Sequence, residues 1–397
     1  MGASSGNDKE LLIGVIGAGN RGWLSRHAHN PDEGVRLVGA VDINDTVLES
    51  YRETYGQDLL VTKDYRELLA RKDIRAVFVT SPDFLHEEHA VAALEAGKDV
   101  YLEKPMAITV AGCDRILRTA YEYKRKLYLG HNMRHMSFVQ KMKELIDAGR
   151  IGEVKAGWCR HFVAYGCDAY FKDWHAERTK STGLLLQKAA HDIDVLHWLC
   201  GGFSTRVNAM GNLGVYDRIT DRHRPEDTGD VSWHMENWPP LSQKQLNPII
   251  DVEDLSMMQM ALDNGVLACY QQCHYTPDAW RNYTIIGTAG RIENFGDSPG
   301  RCVVRLWNRR TDYNPYGDEQ YFIPPVSGGH GGADPLIVGE FVHYVRFGGK
   351  VKTSPVAARN SVAAGCQATE SLRSGGVPLD VPPVDAEIAE YFNKDLE

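Results

Sequence analysis

The sequence has no apolar run long enough to cross a bilayer, and its opening lacks the pattern of a secretory signal. N-myristoylation would want Ser or Thr at position 6 of the Met1-Gly2 start, and Gly6 stands there. Excess positive charge is also missing. The 44 Lys and Arg against 53 Asp and Glu give a formal net charge of −9, which argues against nucleic acid and anionic membrane surfaces as partners. The eight cysteines form no CxxC pair and no zinc-type spacing. Cys269 and Cys273 are four apart, but they lie in an apparent strand and turn without an accompanying cluster. Free thiols in a reducing cytoplasm and no bound metal are therefore expected. There is no internal repeat and no low-complexity tract.

What the chain does have is length and rhythm. At 397 residues it exceeds one ordinary core, so two domains are expected, at residues 1–132 and 133–397. The first ten residues are polar and read as frayed. From Leu11 to about Gly130, strand patterns alternate with helical ones. The strands are Leu12–Ile16, Arg36–Val41, Ala76–Thr80, Asp99–Leu102 and Lys126–Leu129; the helices include Thr46–Tyr55, Tyr65–Ala70, Glu87–Ala96 and Val110–Tyr123. Such alternation builds a parallel sheet covered on both faces. From about Gly152, strand patterns follow one another: Glu153–Phe162, Arg206–Asn212, Asp254–Leu262, Gly265–Gln272, Tyr283–Gly287, Arg291–Asn294 and Cys302–Trp307. Asn264-Gly265 reads as a tight hairpin turn. An α+β domain with a mainly antiparallel sheet follows. Tyr216–Pro248, polar and containing Pro and Trp, reads as a long loop or lid, and Pro335–Phe347 and Val356–Ser374 as helices.

One stretch carries chemistry directly. Gly14-Val15-Ile16-Gly17-Ala18-Gly19-Asn20-Arg21-Gly22 reads strand, glycine turn, helix start, and Asp42 follows Gly22 by twenty residues at the end of a second strand. That layout binds a dinucleotide. Gly17 permits the turn, Gly19 lets the backbone approach a pyrophosphate, and Gly22 lets the helix pack on the strand. Asn20 lies in the same turn, and Arg21 stands where it could add charge to the phosphate site. Asp42 would accept hydrogen bonds from the adenosine ribose and repel a 2′-phosphate, so NAD is expected rather than NADP.

Three further clusters sit where such folds bind ligands, beyond the carboxyl ends of strands. Ser81-Pro82-Asp83, with His86 beyond, follows the third strand; Glu103-Lys104-Pro105 follows the fourth. Each also reads as an ordinary cap or surface turn. Gly183–Leu199 has helical spacing that puts Gln187, Lys188, His191, Asp194 and Val195 on one face. His191 is a natural general base for an alcohol, Lys188 could bind the same oxygen, and Asp194 could orient the imidazole or contact another hydroxyl. An amphipathic helix with a Lys188–Asp192 pair is the plainer alternative.

Read together, the glycine turn, Ser81-Pro82-Asp83 with His86, Glu103-Lys104-Pro105 and His191-x-x-Asp194 resemble the Gfo/Idh/MocA oxidoreductases in order and spacing. The resemblance spans nearly the whole chain. It implies a fold of α/β class: an N-terminal Rossmann domain and a C-terminal α+β domain with a large, mainly antiparallel open sheet, which in the family often serves oligomerisation. A homo-oligomer, dimer or tetramer, is thus expected. Lys104 resembles the family's lysine at nicotinamide and substrate, and His191 its catalytic histidine. The family pattern has an aspartate four residues before that histidine, where this chain has Gln187 with Lys188 beside it. Gln cannot act as a base, so Lys188 becomes a candidate substitute. His330-Gly331-Gly332-Ala333-Asp334 resembles a substrate-side element, and Tyr165, Asp173, Trp174 and His175 form a loop rich in groups that stack on or bond to sugars. Arg178 and Lys180 would admit an anionic substituent.

The expected activity is NAD-dependent oxidation of a ring carbinol, at C3 if the substrate is a sugar. Certain branches of the resembling family are instead redox-neutral glycosidases, which oxidise C3, eliminate the aglycone, add water and reduce again. A non-catalytic NAD-binding sensor is the third alternative, motivated by Gln187.

Overall fold

The computed structural model describes residues 10–225, 227 and 231–396. The polar start, residues 1–9, lies outside them, as do residues 226 and 228–230 of the long loop. The first sheet has six parallel strands: β1 (Leu11–Ile16), β2 (Val35–Val41), β3 (Leu60–Thr62), β4 (Ala76–Val79), β5 (Asp99–Leu102) and β6 (Leu127–Leu129). Their order, β3-β2-β1-β4-β5-β6, is that of a doubly wound dinucleotide-binding sheet. Strands β1, β4, β5 and β6 are nearly all buried, as expected of a sheet with helices on both faces. On one face pack His86–Glu95, Val110–Glu122 and Ala386–Asn393; on the other Asp45–Tyr55 and Ala333–Phe347. Phe78, Tyr101 and Tyr128 stand in register across β4, β5 and β6, and Phe341 closes over them at ring-centroid distances of 5.3–5.7 Å.

The second sheet has nine strands: β7 (Val154–Phe162), β8 (Ser204–Asn212), β9 (Leu255–Leu262), β10 (Leu267–Cys273), β11 (Trp280–Gly287), β12 (Gly290–Phe295), β13 (Cys302–Trp307), β14 (Glu319–Ile323) and β15 (Leu379–Asp380). The order is β14-β13-β12-β11-β7-β10-β9-β8-β15, and every pairing is antiparallel except β7 with β10. One face buries its alternate residues under the helices Ser137–Asp147, Ala190–Cys200 and Pro355–Arg373. The opposite face carries Trp158, Arg160, Met257, Leu267, Trp280 and Phe322, with no helix of the described residues laid over it. The described residues of the stretch 216–248, between β8 and β9, run as loop and single 3₁₀ turns. No helix among the described residues is long and apolar enough to cross a membrane.

Candidate active site

Four strands of the first sheet end at one edge, and their continuations hold the candidate residues: Gly17–Gly22 after β1, Asp42 after β2, Thr80–His86 after β4 and Glu103-Lys104 after β5. Gly17 has φ +83°, and a Cβ there would lie 2.4 Å from the backbone nitrogen of Ser81. A Cβ on Gly22 would lie 2.3 Å from the Gly17 carbonyl oxygen. The Gly19 N–H donates to Asp42 Oδ2 at 2.9 Å. The turn is thus pinned against the β2 and β4 ends, with room only for glycine at positions 17 and 22. After it the chain forms nine residues of 3₁₀ helix, Asn20–Ala28, instead of the expected α-helix, and Asn20 enters it at φ +39°. Pro82 caps the single 3₁₀ turn Asp83–Leu85.

Arg21 does not serve the phosphates as expected. Its Nε donates to Glu103 Oε1 at 2.7 Å, and Nη1 and Nη2 grip Asp334 at 2.9 and 3.0 Å. A bidentate pair of this kind is directional. Arg21 and the ring of His330, 2.9 Å from the same carboxylate, hold Asp334 below the usual carboxylate range although burial opposes it. His330 is therefore tied into this clamp, joining the loop before Ala333–Phe347 to the glycine turn. His86 is likewise structural: it is buried, with its ring nitrogens 2.7 and 2.8 Å from the carbonyl oxygens of Pro105 and Ser81. It has no free nitrogen for a cofactor. The Ser81 hydroxyl faces His89 Nδ1 at 2.8 Å.

Behind Glu103, Lys104 reaches across to the second domain, its Nζ donating to the Gln187 carbonyl at 3.2 Å. Burial pushes its ammonium down to about 8, against the pull of Asp83. Lys188 is buried, and its Nζ donates to the Tyr165 hydroxyl at 3.1 Å, with the Tyr165 and Tyr170 rings 5.2 and 5.3 Å away. Burial, with Arg281 next in weight, pushes it down to about 7. Neither lysine has a carboxylate within ion-pair distance among the described residues. His191 feels both lysines; burial, then Lys104 and His131, hold its imidazole well below its usual value, and its Nδ1 has no hydrogen-bond partner among the described residues. Asp83 is buried with Oδ2 unpartnered, and burial raises its carboxyl while His86, His175 and Lys104 draw it down.

A family model for the NAD-binding Rossmann fold of an oxidoreductase family matches residues 11–131, and the model of that family's C-terminal alpha/beta domain matches residues 143–381. The chain belongs to the Gfo/Idh/MocA oxidoreductase family. Its Rossmann domain is NAD-binding. Among curated relatives, the putative oxidoreductase YteT of Bacillus subtilis is 29% identical over 66% of this chain and 70% of its own. Inositol 2-dehydrogenase of Salmonella typhimurium is 32% identical over 48% of this chain and 54% of its own. The chain thus spans only about half the length of that dehydrogenase. Among solved structures, levoglucosan dehydrogenase in complex with NADH and L-sorbose superposes with a TM-score of 0.74 over 95% of this chain and all of that one, at 22% identity. This likeness establishes the fold.

Several sequence expectations change in the second domain. The helix expected through Gly183–Leu199 is broken: Leu184–Gln187 and Ala190–Cys200 are separate, and Ala189 N–H bonds Leu184 O, five residues back. Asp194 neither orients His191 nor faces a substrate. Its two oxygens accept from Arg134 Nε and Nη2 at 2.8 and 2.7 Å in the interior. The alternative Lys188–Asp192 pair also fails, because Asp192 accepts from Arg281 Nε (2.9 Å), Tyr270 (3.1 Å) and Tyr283, with His161 Nδ1 3.1 Å away. Arg178 is paired with Glu253 and Lys180 with Glu177, so neither is free for an anion. Trp174 stacks on His175 at 3.7 Å and meets Phe84 edge-on at 5.6 Å, so it seals the two domains together. Asp173 Oδ1 accepts from the His175 backbone N–H. Sequence reasoning missed Arg281, the charge that flanks Lys188. Its strand neighbours gave no hint that Asp192, 89 positions away, would hold it.

Proposed function

We propose that the chain oxidises a ring carbinol of a sugar or polyol with NAD, the substrate oxygen lying among Lys104, Lys188 and His191. The observation that carries this is the pair of ammonium groups, Lys188 buried and Lys104 partly so, each with one neutral acceptor and no carboxylate within ion-pair distance among the described residues. Burying such a charge unpaired is costly, so the site suits a ligand rich in oxygen atoms. Bound NAD supplies the hydride acceptor. His191, neutral at pH 7, takes the hydroxyl proton, and Lys104, charged below about pH 8, donates to the oxygen as negative charge builds on it. Gly17, Gly19, Asn20, Gly22 and the Ser81-Pro82 loop cradle the cofactor, and Glu103 positions Lys104 by accepting its backbone N–H at 3.0 Å. Asp42 favours NAD by repelling a 2′-phosphate.

A second reading rests on Lys188. A lysine titrating at about 7 beside a neutral histidine supplies two bases, as a redox-neutral glycosidase working through a 3-keto sugar needs. His191 would take the hydroxyl proton and Lys188 the acidified C2 proton; the aglycone leaves, water adds, and the keto group is reduced back. The uncovered face of the second sheet supports self-association as a homo-oligomer, checked by sedimentation.

Purified protein is incubated with polyols, free sugars and aryl glycosides, with and without NAD. Stoichiometric NADH without cleavage supports the dehydrogenase, and aglycone release without net NADH the glycosidase. Bound NAD that no substrate reduces would point to a sensor. Full activity in His191→Ala would overturn the proton assignment.

A further inference from the structure

The long excursion between β8 and β9 is seated on the candidate site. Asn237 Nδ2 donates to Asp168 Oδ1 at 3.1 Å, and Gln243 Nε2 donates to the Asn237 carbonyl at 3.1 Å. Asp168 is itself buried against Lys172 at 2.7 Å. It lies in the short helix Gly166–Tyr170, which starts one residue after Tyr165, the acceptor for Lys188. The anchor therefore fixes the excursion to the element that frames the candidate catalytic lysine.

On that anchored segment, the Trp233 ring tilts over Tyr165 with 5.7 Å between centroids, yet Trp233 stays 54% exposed. The excursion also leaves Val231, Met235, Trp238 and Leu241 exposed, but Trp233 is set apart by its ring contact with Tyr165, beside the candidate lysine. Ring faces of this kind stack on the CH face of a pyranose or on an aryl ring. Tyr165 thus touches Lys188 through its hydroxyl and Trp233 through its ring. The line from Lys188 through Tyr165 to Trp233 leads outward from the place where a sugar would be oxidised.

We propose that Trp233, with Tyr165, forms a distal subsite for the ring beyond the oxidised one: the aglycone, a second sugar or an aryl group. The substrate is then a glycoside, not a free monosaccharide or an inositol. This rests on the reading of Lys104, Lys188 and His191 as the sugar centre, and the test separates the two.

Matched methyl and p-nitrophenyl glycosides of glucose, galactose and glucuronic acid are assayed for reduction of bound NAD and for p-nitrophenol release. Wild type, Trp233→Ala and Trp233→Phe are compared. The expected result is an aryl-over-methyl preference in kcat/KM that falls about tenfold in Trp233→Ala, the size of one aromatic contact, and returns in Trp233→Phe. If no compound reduces NAD or releases p-nitrophenol, the sugar centre itself is refuted. Turnover with an unchanged aryl-to-methyl ratio in Trp233→Ala refutes the subsite alone. A change in association state with the ratio intact would assign Trp233 to a contact between chains, and would likewise overturn it.

Discussion

Replacing Asp194 by Asn leaves the Arg134 guanidinium deep in the protein without a counter-charge. The pair is enclosed, with side chains 4% and 2% exposed, and among the described residues Arg134 has only the Lys352 carbonyl, at 2.6 Å, as a further acceptor. Breaking a buried pair by removing one partner costs about 3–5 kcal/mol. A chain of this length has an unfolding entropy of about 0.8 kcal/mol per kelvin, so Asp194→Asn lowers Tm by about 4–6 °C. Burial opposes ionisation of Asp194, but Arg134 and His131 hold its carboxyl far below the usual range. The stabilisation is therefore complete above the unfolded carboxylate pKa, near 4, and is lost as pH falls below it. Wild-type Tm should drop across that acid range more steeply than that of Asp194→Asn. Scanning calorimetry from pH 8 to pH 3 reads both effects, and kcat/KM well below Tm should change by less than about twofold. Asp194→Leu with Arg134→Met should recover most of the loss, because an apolar replacement leaves no charge stranded. An Asp194→Asn protein with wild-type Tm and tenfold weaker substrate binding would refute the structural assignment and return Asp194 to the active site.

Lys188→Met should cut turnover about 100-fold or more while raising thermal stability at pH 7, because burial disfavours the ammonium it removes. The folded lysine titrates at about 7 and the unfolded one near 10.4, so the unfolded chain binds more protons between those values. Wild-type stability should therefore gain from this group as pH rises from 7 to 10, and calorimetry of Lys188→Met should lack that gain. Asp42→Ser should shift the kcat/KM ratio from NAD toward NADP by about tenfold or more, read at 340 nm with both cofactors. Gly17→Ala should abolish NAD binding in titration calorimetry, since its methyl would strike the Ser81 backbone at a left-handed φ.

Most of the first domain was legible because its signals are local. Strand Asp99–Leu102 and helix Tyr65–Ala70 match their expected bounds, and the two ends of Val110–Glu122 fall within one residue. Leu60–Thr62 and Leu379–Asp380 were missed, being too short to show a period, and Glu319–Ile323 lacks a strong apolar alternation. The candidate site was visible as motifs, but the partners of its side chains were not. The glycine turn, Glu103-Lys104 and His191 are marked by local chemistry. Nothing near Arg21 announces that Asp334, 313 positions on, will take its guanidinium, nor does His191-x-x-Asp194 show that Arg134 claims the aspartate. The expected continuous helix failed because the chain adds one residue to a turn at Lys188-Ala189, which no periodicity count registers.

The aromatic rung of Phe78, Tyr101 and Tyr128 has a consequence for how the chain is made. Phe341 covers it, with Ile337, Val338, Tyr344 and Val345 in the same cluster, while Ile388 and Phe392 close the opposite face. All of these leave the ribosome more than 200 residues after β6. A nascent chain that has emerged only through the sixth strand has helices over part of each sheet face, but the aromatic rung and the ground under Ile388 and Phe392 are still bare. It must be shielded or stay loose for the ten seconds or more that synthesis of that length takes at roughly 5–20 residues per second. The first third of the chain to be synthesised is thus among the last parts to be finished.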